Sequence, residues 1–222
     1  MTTAAPPHVP GYRRPMGWWE AHVVPRLVDV SCGARPIMQL RDQVCADLTG
    51  RVLEIGFGSG LNLGALPPAV TQVDAVEPSD LAWRRSEKRR AAAGVRVERI
   101  GLDGQRIDAA DATYDSALST FSLCTIPDPA LALAEVRRLL KPGGRLSFVE
   151  HGSAPDESVR RWQRRLEPVQ RRVAGGCHLT RDIEALVRAA GFTGGELDGF
   201  YEGPGPAKPL GYLTLTRAGV VV

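Results

Sequence analysis

The stretch that decides the fold is Val52-Leu53-Glu54-Ile55-Gly56-Phe57-Gly58-Ser59-Gly60. An apolar run of strand length enters three glycines at alternate positions, and Asn62–Leu66 beyond them reads as helical. Glycine is required where a backbone turns tightly and lies close to a ligand. A helix start there offers free N–H groups to polar or anionic atoms. The spacing is GxGxG, not the GxGxxG of dinucleotide sites, and Glu54 stands two residues before the first glycine. A carboxylate at that point suits a positively charged ligand group such as an amino-acid ammonium. A second element supports the first. Glu77, in Asp74-Ala75-Val76-Glu77-Pro78, closes the next strand 21 residues after Gly56. That is the offset of about 20 residues expected of an acid that accepts ribose hydroxyls.

Outward from this turn, short β-rich runs alternate with helical ones. Strands are expected at Arg51–Ile55, Gln72–Val76, Val95–Ile100, Tyr114–Ser119 and Arg145–Glu150. Helices are expected at Asp80–Ala93 and Pro129–Leu140, the first stopped by Gly94 and the second by Pro142-Gly143-Gly144. Such alternation implies βαβ units and a parallel sheet with right-handed crossovers. Further helices are read at Glu157–Val173 and Thr180–Ala190, the latter N-capped by Thr180. Strands at Glu196–Phe200 and Leu210–Thr216 could pair as a hairpin. Upstream, Trp19, Val23, Val24, Leu27 and Val28, then Ile37, Leu40, Val44 and Leu48, recur at helical spacing. The expected organisation is a loose arm over 1–15, a helical cap over 16–48 and a sheet domain over 49–222. The fold class is α/β: a Rossmann-like, doubly wound, mostly parallel seven-stranded sheet with a C-terminal antiparallel hairpin and an N-terminal helical cap.

Composition narrows the function. The chain has 222 residues with 28 Lys+Arg against 25 Asp+Glu, a net charge of +3 that does not suggest a nucleic-acid binder. It holds no apolar run of spanning length, and Met1–Pro10 has no signal-type apolar region. Cys32, Cys45, Cys124 and Cys177 form no CxxC pair, so reduced thiols, a cytoplasmic location and no metal site are expected. Six arginines lie between Arg160 and Arg172, interleaved with Val159, Trp162, Leu166 and Val169. That describes an amphipathic helix with a solvated basic face, and peripheral membrane contact is the functional alternative.

The glycine turn and Glu77 resemble those of class I S-adenosylmethionine-dependent methyltransferases. Leu139-Leu140-Lys141-Pro142-Gly143-Gly144-Arg145-Leu146 looks like that family's turn into its fifth strand, and Tyr114-Asp115-Ser116-Ala117-Leu118 like its fourth. Ser119-Thr120-Phe121-Ser122-Leu123-Cys124, Phe148-Val149-Glu150-His151, Trp162 with Leu166-Glu167-Pro168, and Gly176-Cys177-His178-Leu179-Thr180-Arg181 resemble the methyltransferase-like alkyl-thiol methyltransferase group. The resemblance implies S-adenosylmethionine as cofactor, S-adenosylhomocysteine as product, and a small-molecule acceptor, favoured as a thiol or hydrogen sulfide. It assigns Glu54, Gly56, Phe57, Gly58, Gly60 and Asn62 to the methionine part of the cofactor. Glu77 falls to the ribose, and Pro78 and Ser79 to the adenine border. Leu102, Asp103 and Gly104 fall to the adenine amine, and Ser119 and Thr120 to the methyl-transfer region. The family's G-x-A-E pattern is Gly101-Leu102-Asp103-Gly104 here, with the carboxylate displaced by one position.

Methyl transfer from a sulfonium needs proximity, alignment and a dry site, and a thiol acceptor must ionise. His151, after the fifth strand, is the expected catalytic base, with ordering of the Glu150 loop as the alternative. Trp18, Trp19, Cys124, His151 and His178 are expected to line the acceptor site. The bland readings are packing for the cysteine and tryptophans and a structural tie for His178. The rival functions are N- or O-methylation of a lipid, quinone or heterocycle, and a cofactor-binding protein without catalysis. A monomer and a dimer are equally compatible with the sequence.

Overall fold

The alternating faces of the central strands set the architecture. In β1 (Gly50–Ile55), Val52 packs into one apolar cluster while Leu53 and Ile55 pack into another, so the strand is covered on both faces. The computed structural model describes residues 17–203 and 205–222, and the expected arm over 1–15 lies outside them. β1 pairs in parallel with β2 (Val70–Val76) and β4 (Tyr114–Thr120). β2 pairs in parallel with β3 (Arg96–Gly101), and β4 with β5 (Leu140–His151). β6 (Glu196–Tyr201) and β7 (Tyr212–Ala218) are antiparallel, and β7 runs antiparallel to β5. The order is β3-β2-β1-β4-β5-β7-β6, the expected seven strands, to which a two-residue β8 (Val220–Val221) is added on β5.

Helices cover both faces. α6 (Pro129–Leu139) and α8 (Ile183–Ala189) contribute Leu133, Val136, Leu139, Ile183 and Val187 to the cluster that holds Phe148. α3 (Arg35–Cys45) contributes Leu40, Val44 and Cys45 to the opposite one. The cap helix α3 thus shares its apolar face with the sheet. Before it come α1 (Trp18–His22) and α2 (Val24–Ser31).

Local structure departs from expectation at five places. The segment after the glycines is a single 3₁₀ turn, Leu61–Ala65, rather than an α-helix. The helix expected over 80–93 divides at Ser86 into α4 (Asp80–Arg85) and α5 (Glu87–Ala92), because the Ser86 hydroxyl donates to the Trp83 carbonyl. Pro142-Gly143-Gly144 lies inside β5, where the register jumps from Tyr114 opposite Leu140 to Ser116 opposite Arg145. α8 is capped by Asp182, which accepts from Ala185 N, while Thr180 is turned to Glu167. α7 (Glu157–Val173) has the expected span, but Trp162 and Val169 are 54% and 62% exposed. Its buried side chain is Gln163, which accepts from Ala154 N and donates to the Gly152 carbonyl, so hydrogen bonding and not the apolar stripe sets its inward face.

The glycine turn is sterically determined. Gly56 has φ +71°, and a Cβ added there would lie 1.8 Å from Ser122 Oγ. Left-handed backbone plus overlap should make Gly56→Ala cost about 2–4 kcal/mol. Gly64, with nothing within 4 Å of an added Cβ, is the control, and Gly64→Ala should change stability by less than about 0.5 kcal/mol. Urea titration of both variants checks the contrast.

Candidate functional site

The carboxyl ends of β1, β2, β4 and β5 meet at one edge of the sheet, where ligands of open α/β sheets bind. Glu54 lies opposite Leu118 in the β1–β4 register, so Thr120, two residues on, shares its face. Glu54 is buried, and its Oε1 accepts from Asn62 Nδ2 at 2.7 Å. Thr120 Oγ1 accepts from Asn62 Nδ2 at 3.0 Å and from the Arg41 guanidinium at 2.8 Å. Arg41 also donates to Asn62 Oδ1 at 2.6 Å and lies over the Phe121 ring. A buried cation and a buried carboxylate thus share a polar box, bridged by one amide.

The box is incomplete. Glu54 Oε2 is buried and has no hydrogen-bond partner among the described residues. Burial pushes the Glu54 carboxyl up to about 7, against the opposing influence of Asn62 and Arg41. A buried carboxylate oxygen is not left orphaned without a reason. An ammonium group would satisfy it, and Arg41 stands ready for a neighbouring carboxylate. The glycine turn agrees: a Cβ at Gly58 would meet only the Gly56 carbonyl oxygen, at 3.9 Å, so the backbone face there is open to close approach. The residues therefore fit the amino-acid end of S-adenosylmethionine.

Glu77 closes β2 and is buried; its Oε2 accepts from Gly58 N and its Oε1 from Ser79 N, both at 2.6 Å. Burial raises its pKa despite these donors. Each oxygen keeps a second lone pair for a hydroxyl. Ser79 caps α4 by accepting from Ala82 N, which occupies its hydroxyl beside Pro78. Asp103 Oδ1 accepts from the backbone and side chain of Gln105, so its own loop holds it. Leu102 is exposed, and Gly104 packs closely on Ile55. The cap closes over the glycine turn: Asp29 of α2 accepts from the Ser59 hydroxyl and from Arg85 and Arg89.

Several expected site residues sit elsewhere. Ser119 faces away from the Glu54 box because strand residues alternate, and its hydroxyl donates to Glu150 Oε1 at 2.7 Å. Phe57 packs in the core against Trp83. Trp18 is 70% exposed and stacks on His22 of its own helix, and Trp19 Nε1 donates to the Val173 carbonyl, so Trp19 ties the cap to α7 and neither ring is seen to close the cradle. His178 pairs with Glu167, which also accepts from the Thr180 backbone and hydroxyl, so it ties α7 to the segment before α8.

Cys124 and His151 do come together, with a partner that the expected site left out. Cys177 Sγ lies 3.7 Å from both Cys124 Sγ and His151 Nδ1, and Cys124 Sγ lies 3.9 Å from the same nitrogen. The Cys124 thiol and the His151 ring hold Cys177 below the usual thiol range, while the Cys177 sulfur and burial push Cys124 above it. Burial lowers the His151 pKa, but Cys177 and Glu150 more than offset it. Phe121 packs against His151 and carries φ +57°, an uncommon conformation for a bulky residue and one found where structure enforces function. Glu150, fully buried, accepts from Ser119 Oγ and from the backbone N–H groups of Ser122, Leu123 and Cys124.

Comparison with known proteins agrees with this fold. Residues 53–148 match the methyltransferase domain family. The chain is 35% identical over 153 residues to rat thiol S-methyltransferase TMT1B, covering 66% of this chain and 62% of the relative. Human thiol S-methyltransferase TMT1A is 32% identical over 146 residues, covering 63% and 59%. The chain thus spans about three fifths of the length of these relatives. A S-adenosylmethionine-dependent methyltransferase structure from Leishmania major superposes with a TM-score of 0.65 at 18% identity, covering 91% of this chain and 80% of that one. The matched methyltransferase domain implies S-adenosylmethionine as cofactor and S-adenosylhomocysteine as product.

Proposed function

We propose that this chain, which carries a class I S-adenosylmethionine-dependent methyltransferase domain, methylates the sulfur of a small thiol. The observation that carries the cofactor half is the orphan Glu54 oxygen beside buried Arg41. The acceptor half rests on likeness to thiol S-methyltransferases and on the Cys124–His151–Cys177 cluster at the same sheet edge.

When bound, S-adenosylmethionine supplies an activated methyl group on a sulfonium. Glu54 and Arg41, tied together by Asn62 and Thr120, would hold its amino-acid end through charge-assisted hydrogen bonds. Glu77 would accept the ribose hydroxyls, and Gly58 would let the backbone lie close. The Asp29 clamp on Ser59 keeps the cap over the turn. The acceptor must present a thiolate. His151, at the end of β5, is the residue on which that ionisation depends.

The test is turnover on hydrogen sulfide and simple alkyl and aryl thiols, measured as S-adenosylhomocysteine release. Release with thiols is the expected result; release only with amines or phenols overturns the acceptor, and cofactor binding with no release on any acceptor favours a non-catalytic protein. A lipid-like acceptor is the second reading, favoured by exposed Trp162 and Val169 beside the arginines of α7. Salt-sensitive sedimentation with anionic vesicles is its check. Among the described residues no helix is long and apolar enough to cross a membrane.

A further inference from the structure

The cluster holds more than a base. Its three donors come from distant segments: Cys124 from the turn after β4, His151 from the end of β5, and Cys177 from the loop after α7. They have separations of 3.7, 3.7 and 3.9 Å. Zinc bonds of about 2.3 Å to sulfur and 2.0–2.1 Å to imidazole place tetrahedral neighbours about 3.5–3.8 Å apart. The observed separations lie within a few tenths of an ångström of that range, so a single cation between the donors needs only a small closing movement of the ring toward the sulfurs.

The frame around the donors is fixed in advance. The His178 backbone N–H donates to the Cys124 carbonyl at 2.8 Å, which locks the two cysteine segments together. The Cys124 N–H is held by Glu150 Oε2 at 3.1 Å. Cys124 and Cys177 are buried and His151 is partly exposed, so the histidine is the member of the cluster nearest solvent.

We propose that Cys124, His151 and Cys177 bind one thiophilic divalent cation, zinc in type, whose fourth position is open to a thiolate. Three protein ligands with a free vertex is the arrangement of zinc sites that take substrate, whereas structural sites are closed by a fourth residue. Two thiolates and an imidazole select a soft or borderline ion over calcium or magnesium. A thiol entering the free vertex binds as thiolate, and its proton leaves to solvent. This last part rests on the thiol reading above; the cation site itself does not. It replaces proton removal by His151 Nδ1 with ligation through that nitrogen, and so gives His151 its part in acceptor ionisation.

The experiment is cobalt(II) titration of the reduced full-length chain, followed by visible absorption, with zinc content measured in parallel. One tetrahedral cobalt per chain is the expected result. Cys124→Ser and Cys177→Ser should each weaken binding by at least the roughly hundredfold that losing an outer partner can cost. Cys32→Ser should bind as the parent does, and circular dichroism with S-adenosylmethionine calorimetry reports whether each variant folds. Absence of cobalt and zinc binding by the folded, reduced parent overturns the site. Adding benzenethiol to the cobalt form should shift its absorption bands. Unchanged bands while thiols are still methylated overturn the open vertex and leave the thiol function standing. Cobalt binding with methylation of amines or phenols alone upholds the site and overturns the thiol function.

Discussion

Glu54→Gln is expected to weaken S-adenosylmethionine binding about tenfold to hundredfold while leaving the unliganded chain at least as stable near pH 8. The glutamine keeps the shape of the side chain and can still accept from Asn62 through its carbonyl oxygen, as Oε1 does at 2.7 Å. What it loses is the charge on Oε2, the oxygen that has no partner among the described residues. A hydrogen bond to a charged group is worth about 1.5–3 kcal/mol, and each 1.4 kcal/mol is tenfold in affinity. The stability prediction has the opposite sign because burial lifts the Glu54 carboxyl from 4.5 to about 7. As pH rises from 4.5 to 7 the unfolded chain gives up this proton and the folded chain keeps it, so folding becomes less favourable across that window and levels off above it. A shift of that size is on the order of 3 kcal/mol, and the glutamine variant escapes it. Urea titrations at pH 5 and pH 8 should therefore show the variant gaining on the parent as pH rises. Calorimetry should show parental affinity for the cofactor rising through pH 7, a slope missing from the variant. Parental affinity in Glu54→Gln would remove the ammonium contact from the site.

The same residue marks where the sequence was legible and where it was not. Glu54 and Glu77 announce themselves because a charged residue at the end of an apolar strand is a local anomaly, and the glycines between them need nothing beyond backbone sterics. The parallel pairing follows from the alternation of element types, whereas the strand order is known from the structure. Arg41 is different. It falls on the inward face set by Ile37, Leu40, Val44 and Leu48, but a periodicity read from apolar residues passes over a cation at such a position. Ser119 was assignable in principle, since strand alternation separates it from Thr120; treating the two as neighbours with one role ignores the pleat. The exposed stripe of α7 shows a further limit: an amphipathic pattern tells which faces differ, and the Gln163 hydrogen bonds decided which one turned inward. The Cys124–His151–Cys177 cluster has no local signature at all, because its members lie 27, 26 and 53 residues apart and meet only when the sheet and the loop after α7 are in place.

Glu150→Ala is expected to cost about 4 kcal/mol or more, enough to leave little folded chain. Four donors converge on this one carboxyl: the Ser119 hydroxyl and the N–H of Ser122, Leu123 and Cys124, at 2.7 to 3.1 Å. Removing the acceptor strands all of them in a place closed to water, at about 1–3 kcal/mol for each buried group left unpaired. Glu150→Gln should fall between, at about 2 kcal/mol, because its amide nitrogen must face one of the donors that a carboxylate oxygen had accepted. Neither variant escapes by losing the cost of burying the charge. Burial does raise the Glu150 pKa, but the converging N–H groups oppose it, and they have no other acceptor when it is gone. The damage should also travel. The Ser122 hydroxyl donates to the Gly56 carbonyl, and Cys124 is a member of the sulfur–imidazole cluster, so one carboxyl on β5 fixes the cofactor turn and the acceptor side together. Folded Glu150→Gln should accordingly lose affinity for S-adenosylmethionine and for cobalt at once, whereas Glu54→Gln should lose only the first. Urea titration reads the stability order, and the two ligand titrations read the coupling. A Glu150→Ala chain within about 0.5 kcal/mol of the parent, the range of neutral surface changes, would mean the loop after β4 is held by something else.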